Sequence, residues 1–312
     1  MTLVTDAPPR ARESVYRPRH PLDLLATVGM LRRGATDPTM IIEAGRIWMT
    51  FRTDAGIATL CLRGSGAGVR ATAWGPGAGE ALDRVPALCG ADDDPSGFDL
   101  SSHPALAEIA GRQPGIRMTR TGRVFDALAC AIIEQKVTGM QAFGAWRHLV
   151  TRYGERAPGP TPRPMFAAPS PEIWRTVPSW AFHRARVEPP QARTIARSAQ
   201  RASSIERAAL TATDGEGRDR VLTSLPGVGP WTSAETRIRA LGDPDAVSVG
   251  DFHLAHEVGY ALTGHRTDDD GMLELLAPWA GHRQRVIRLI FAAGIRDPRR
   301  GARLAPEDHR RR

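Results

Sequence analysis

The chain has 312 residues, 41% of them apolar, with 42 Lys+Arg against 34 Asp+Glu and a formal net charge of +8. That length is enough for two domains with full cores, and no apolar run approaches the ~20 residues of a membrane span. The polar, Pro/Arg-rich start Met1–Arg19 has no apolar leader core, so a cytoplasmic protein is expected, and the basic excess predicts a polyanionic partner rather than a membrane.

In chain order, residues 1–16 read as a mobile tail, and 297–312, ending in Arg310-Arg311-Arg312, as a basic tail. Between them, 17–104 reads as an α+β unit. Leu22, Leu24, Leu25, Val28 and Leu31 have helical spacing closed by Gly34. Residues 40–52 alternate with Ile47, Met49 and Phe51 on one face, and a second strand runs from Ile57 to Leu62. The glycines of Gly64-Ser65-Gly66-Ala67-Gly68 miss the spacing of a phosphate loop, and Val69–Trp74 reads as a returning strand, so a hairpin turn is predicted. Cys61, Cys89 and Cys130 are too widely spaced for a disulfide framework or a metal cluster and read as core thiols.

From 105 to 296 the pattern is helical. Val124, Phe125, Leu128, Ile132 and Ile133 share a face, and Thr138-x-x-Gln141 is a capping box, which makes Glu134–Gly139 a tight junction between two helices. A Pro-rich connector, Pro158–Pro171, leads to further helical segments. Leu225-Pro226-Gly227-Val228-Gly229-Pro230-Trp231-Thr232 lies between two of these. Its glycines permit positive φ and close backbone approach, and Pro230 suits a first helical turn. Such a hairpin aims unpaired amides outward and can seat a phosphate; the same residues also serve an ordinary turn between packed helices. Asp243, Asp245 and the run Asp268-Asp269-Asp270 read as loop residues, and His253, His256 and His265 lack the frame of a zinc motif.

The hairpin, followed 20 residues after Trp231 by Asp251, resembles the helix-hairpin-helix-GPD superfamily of DNA glycosylases, most closely its bacterial 3-methyladenine DNA glycosylase II branch. Ala131-Ile132-Ile133-Glu134-Gln135-Lys136-Val137-Thr138 is similar to the helix-end motif that carries the residue filling the gap left by an extruded base. The resemblance implies an α+β fold in which a TATA-binding-protein-like α/β unit precedes an all-helical glycosylase domain. It implies a monofunctional enzyme that hydrolyses the N-glycosidic bond of alkylated, 3-methyladenine-type purines in duplex DNA by base flipping. The competing reading is a non-catalytic damaged-DNA-binding protein of the same fold.

By the same resemblance Asp251 is the catalytic carboxylate, a role compatible with capping the helix that follows it. Trp231 is the pocket aromatic, with Trp180 and Phe182 as further candidates, and the second pocket aromatic position falls between Arg288 and Phe291. Gln135, Lys136, Gly227, Gly229 and Thr232 are the DNA-contacting set, with lysine at the gap-filling position a departure from the usual apolar or amide side chain. Lyase relatives carry a hairpin lysine where this chain has Trp231, and its single lysine is Lys136. No cofactor is required; carbonyls of Thr223, Leu225 and Gly227 are the candidate ligands of a structural Na or K ion. The expected partner is double-stranded DNA with a damaged base, bound by a monomer.

Overall fold

A computed structural model describes residues 11–66 and 68–297. Its N-terminal unit is an antiparallel sheet of β1 (Arg12–Tyr16), β2 (Met40–Glu43), β3 (Arg46–Thr53), β4 (Gly56–Ser65) and β5 (Gly68–Trp74), in the order β1-β5-β4-β3-β2. The two-residue period of a strand puts Ile47, Met49, Phe51, Leu60 and Leu62 on one face. There they pack against α1 (Leu24–Val28), α2 (Ala78–Asp83) and α3 (Val85–Leu88). On the other face Trp48 stacks on Trp74 at 5.6 Å and packs with Ile41, Cys61 and Met165. Register is specified by these two buried faces, because a one-residue slip would exchange them. All three cysteines are buried, and burial raises each thiol's pKa, as core thiols require.

The helices are α4 (Pro104–Arg112), α5 (Val124–Ile133), α6 (Gly139–Tyr153), α7 (Pro171–Thr176), α8 (Ser179–Arg184), α9 (Pro189–Gln200), α10 (Ala202–Thr211) and α11 (Gly215–Thr223). They continue with α12 (Pro230–Thr236), which runs on as a π-turn Arg237–Leu241, then α13 (Leu254–Thr263), α14 (Asp269–Leu276) and α15 (Arg283–Ala292). Every residue of α5 except Asp126 is buried, which marks it as the axis of a core rather than a surface helix. One apolar cluster surrounds it, drawing on α6 to α11; a second joins α4 and α13 to α15.

Two expectations about organisation are corrected. Residues 12–16, expected in the mobile tail, form β1, whose backbone pairs with β5 from Arg12↔Ala73 to Tyr16↔Val69. Phe98 and Leu100, expected in the N-terminal unit that ends at 104, pack with Leu106 and Trp279 in the second helical core. The Pro-rich connector covers the sheet: β6 (Glu155–Arg156) pairs with β7 (Phe166–Ala167), and Thr59 Oγ1 donates to the Pro158 carbonyl at 2.6 Å. The basic tail, with Arg310 to Arg312, lies outside the described residues apart from Asp297, whose N–H donates to Glu257 at 2.7 Å.

Candidate active site

The hairpin follows from local rules. Pro226 and Gly227 are the central residues of a turn closed by Val228 N–H donating to the Leu225 carbonyl at 3.0 Å. Gly227 has φ +91°, the position where a type II turn needs glycine. Leu225 and Val228 are buried pegs, while Pro226, Gly227, Gly229 and Pro230 face outward. Gly229 differs from expectation: its φ of −99° is open to any residue, and a Cβ there would meet nothing within 4 Å. That open space lies over the first turn of α12, where amide N–H groups have no intrahelical acceptor. Asp219 holds the two arms together, accepting from Ser233 Oγ at 2.6 Å and pairing with Arg237 at 3.6 Å.

Asp251 stands half-buried at the entry to α13. One carboxylate oxygen accepts from the N–H groups of His253 and Leu254 at 2.9 and 3.1 Å, and the other accepts from the indole N–H of Trp231 at 3.1 Å. The expected capping role is therefore present alongside an acid held from two sides. Trp231 belongs to α12, beside the first helical core, and Asp251 leads into α13 of the second, so their hydrogen bond crosses the seam between the cores. Further braces fix this loop: Gly250 N–H donates to Asp269 at 3.1 Å, and Ser248 Oγ donates to Glu235, one turn beyond Trp231, at 2.6 Å.

The third element is the α5–α6 junction. Thr138 and Gln141 form the expected capping box. Lys136 is exposed at the apex with φ +56°, a left-handed conformation that L-residues avoid. Gln135 turns inward, its side-chain amide donating to the Gly227 carbonyl at 2.9 Å and to Thr232 Oγ1 at 2.8 Å. Thr232, expected among the DNA contacts, is buried with its hydroxyl taken by Gln135. This leaves only its backbone amide for a phosphate. Glu134 forms an ion pair with Arg33 of the N-terminal unit.

Other candidates fall elsewhere. Phe182, expected near the pocket, is a core residue stacked on Trp174 at 6.1 Å, because the inward face of α8 fills the first helical core. Trp180 is 58% exposed on α8. Arg288 is turned to the N-terminal unit, donating to the Ala26 carbonyl, and burial together with Arg239 lowers its pKa to about 10. Phe291 has the Arg296 guanidinium 4.7 Å over its ring. Of the proposed cation ligands, Leu225 O and Gly227 O already accept the N–H of Val228 and of Gln135, so an ion would fit only through their second lone pairs. Two clefts, about 540 and 370 Å³, lie away from the seam, and neither is lined by Asp251 or Trp231.

Several acids expected to be plain loop residues are structural. Asp243 pairs with Arg237 and Asp245 with Arg283, while Asp268 caps α14. Gln191, buried on α9, was not among the candidates; its amide donates to carbonyls at the end of α5. The available signal was Glu188-x-x-Gln191 ahead of an amphipathic run, a capping box that marks a helix start and says nothing of what its amide reaches.

No family model matches the chain. It is 30% identical over 183 residues to a Mycobacterium tuberculosis protein described as a probable bifunctional transcriptional activator/DNA repair enzyme AlkA, a match covering 56% of this chain and 35% of that protein. The chain thus spans about a third of the length of the curated relatives it matches. Its structure is similar to a 3-methyladenine DNA glycosylase from Archaeoglobus fulgidus, with TM-score 0.74, 16% identity and coverage of 90% of this chain and 97% of that one. It is also similar to an 8-oxoguanine glycosylase/lyase from Clostridium acetobutylicum in complex with double-stranded DNA, with TM-score 0.64, 14% identity and coverage of 88% and 92%. The resemblance read from the hairpin and its aspartate is borne out in the fold.

Proposed function

We propose that this protein is a monofunctional DNA glycosylase that flips alkylated, 3-methyladenine-type purines out of duplex DNA and hydrolyses their N-glycosidic bond. The observation that carries it is the 3.1 Å hydrogen bond from Trp231 to Asp251, which joins the hairpin to the acid across the seam. Breaking the bond between sugar and base builds positive charge on the sugar. A carboxylate held from two sides is a prearranged counter-charge for it and needs no reorganisation during the reaction. The indole face supplies stacking and cation–π attraction to a cationic purine, which is already a good leaving group.

The turn amides and the open space at Gly229 suit a strand phosphate, and the exposed Lys136 suits the gap left in the stack, where its stem can wedge while its ammonium meets a phosphate or the orphaned base. With Trp231 where lyase relatives carry lysine, the product is an abasic site. The five-stranded antiparallel unit is read as the TATA-binding-protein-like module of this class, and the hairpin carbonyls as the seat of a structural monovalent ion with no part in the reaction. Among the described residues no helix is long and apolar enough to cross a membrane.

Asp251→Asn tests the assignment. It is expected to bind abasic-site DNA as the wild type does while releasing methylated bases at least about a hundredfold more slowly. Wild-type release rates from this variant would sink the proposal. Tight abasic-site binding by the wild type with no free base from methylated DNA would make the protein a damage binder instead.

A further inference from the structure

We propose, on the premise that the protein is a glycosylase, that Gln191 is a positioning residue: by clamping the peptide that precedes Lys136, it holds the gap-filling lysine at a set distance from the hairpin. Filling the hole of an extruded base requires two grips on one strand in register, the hairpin on a phosphate and Lys136 in the stack. A small error in their separation is costly.

The Gln191 amide donates to the carbonyls of Ile132 at 3.1 Å, Ile133 at 3.3 Å and Gln135 at 2.8 Å. The last of these lies in the peptide plane whose rotation sets φ of Lys136. Holding that carbonyl therefore holds the left-handed turn at +56°, a conformation that persists only where its surroundings over-determine it. Gln191 is itself fixed, its side-chain oxygen accepting from Glu188 N–H at 2.8 Å. Three residues on, the same helix meets the hairpin: a Cβ at Gly227 would come within 2.2 Å of Thr194 Oγ1. Gln135 closes the circuit through Gly227 and Thr232. One helix face thus spaces the lysine from the phosphate-gripping turn, using side chains that need never touch DNA.

The test is a double-mutant cycle in the full chain, read as affinity for abasic-site duplex relative to undamaged duplex. Gln191→Leu keeps volume and donates nothing. It is expected to lower that preference about tenfold, with undamaged-duplex affinity unchanged, and to have no further effect in a Lys136→Ala background. Gln191→Met repeats the cycle if the leucine variant does not fold. An undiminished preference, or an equal loss in both backgrounds, overturns the positioning role. A wild type with neither abasic preference nor base release fells the glycosylase premise, and this inference with it.

Discussion

The proposed function gives Trp231 two uses: its N–H, which fixes an oxygen of Asp251, and its ring, which would stack on a base. Trp231→Phe separates the two uses, because the ring survives and the donor does not. The variant is expected to bind damaged duplex nearly as well as the wild type while single-turnover base release falls about tenfold, at a stability cost of about 1 kcal/mol. The turn, the capping box beside Lys136 and the 20-residue step from Trp231 to Asp251 were legible in the sequence because each is a short motif whose spacing is itself the signal. Phe182 was misread for the opposite reason, because what takes its ring is the packing of α8 on Trp174. Nor does any local pattern show that the Thr232 hydroxyl is taken by Gln135, 97 residues away, which leaves its backbone amide as it was expected. No local pattern tells an inward aromatic from an outward one two residues earlier, so Trp180 and Phe182 were indistinguishable.

Among the elements, the hairpin is the part whose two glycines do different jobs. Gly227→Ala meets both an unfavourable φ and the Thr194 hydroxyl, and is expected to destabilise the protein by about 3 kcal/mol in denaturant unfolding. Gly229→Ala fits its φ and open surroundings. It is expected to leave stability within about 0.5 kcal/mol while weakening binding to undamaged duplex, because the new methyl stands where the strand would approach. An unchanged duplex affinity in Gly229→Ala would count against this face as the phosphate seat. The turn was readable from Pro226 and Gly227 alone, since a type II turn is specified by φ at two residues. The acids around it were not, because Asp219, Asp243 and Asp269 act on partners brought close by helix packing.

At the scale of the whole molecule, the N-terminal unit braces the helices near the lysine apex. Arg33 pairs with Glu134, and the buried Asp37 accepts from the indole N–H of Trp146 on α6 at 3.3 Å. Burial raises the Asp37 pKa against the hydrogen bonds that lower it. The folded chain therefore holds this proton more tightly than the unfolded chain. The resulting stability is fully present below the ordinary carboxylate range and is lost as pH rises through the raised folded value. Relative to Asp37→Asn, the wild-type Tm is expected to fall as pH is taken upward from about 4, and parallel profiles would show that Asp37 does not titrate in this way. The amino-acid order on its own determined the strand faces, the capping box, the hairpin turn and the spacing of Trp231 from Asp251, since all follow from dihedral and periodicity rules within a few residues or from a motif read along the chain. Only the tertiary structure decided that residues 12–16 join the sheet, that Gln191 reaches the lysine junction, and that tryptophan and aspartate meet across a seam between two cores. Those pairings join groups set apart along the chain: backbone pairing with β5 draws in 12–16, and close packing of several helices, not any one segment's preference, brings the others within hydrogen-bond reach.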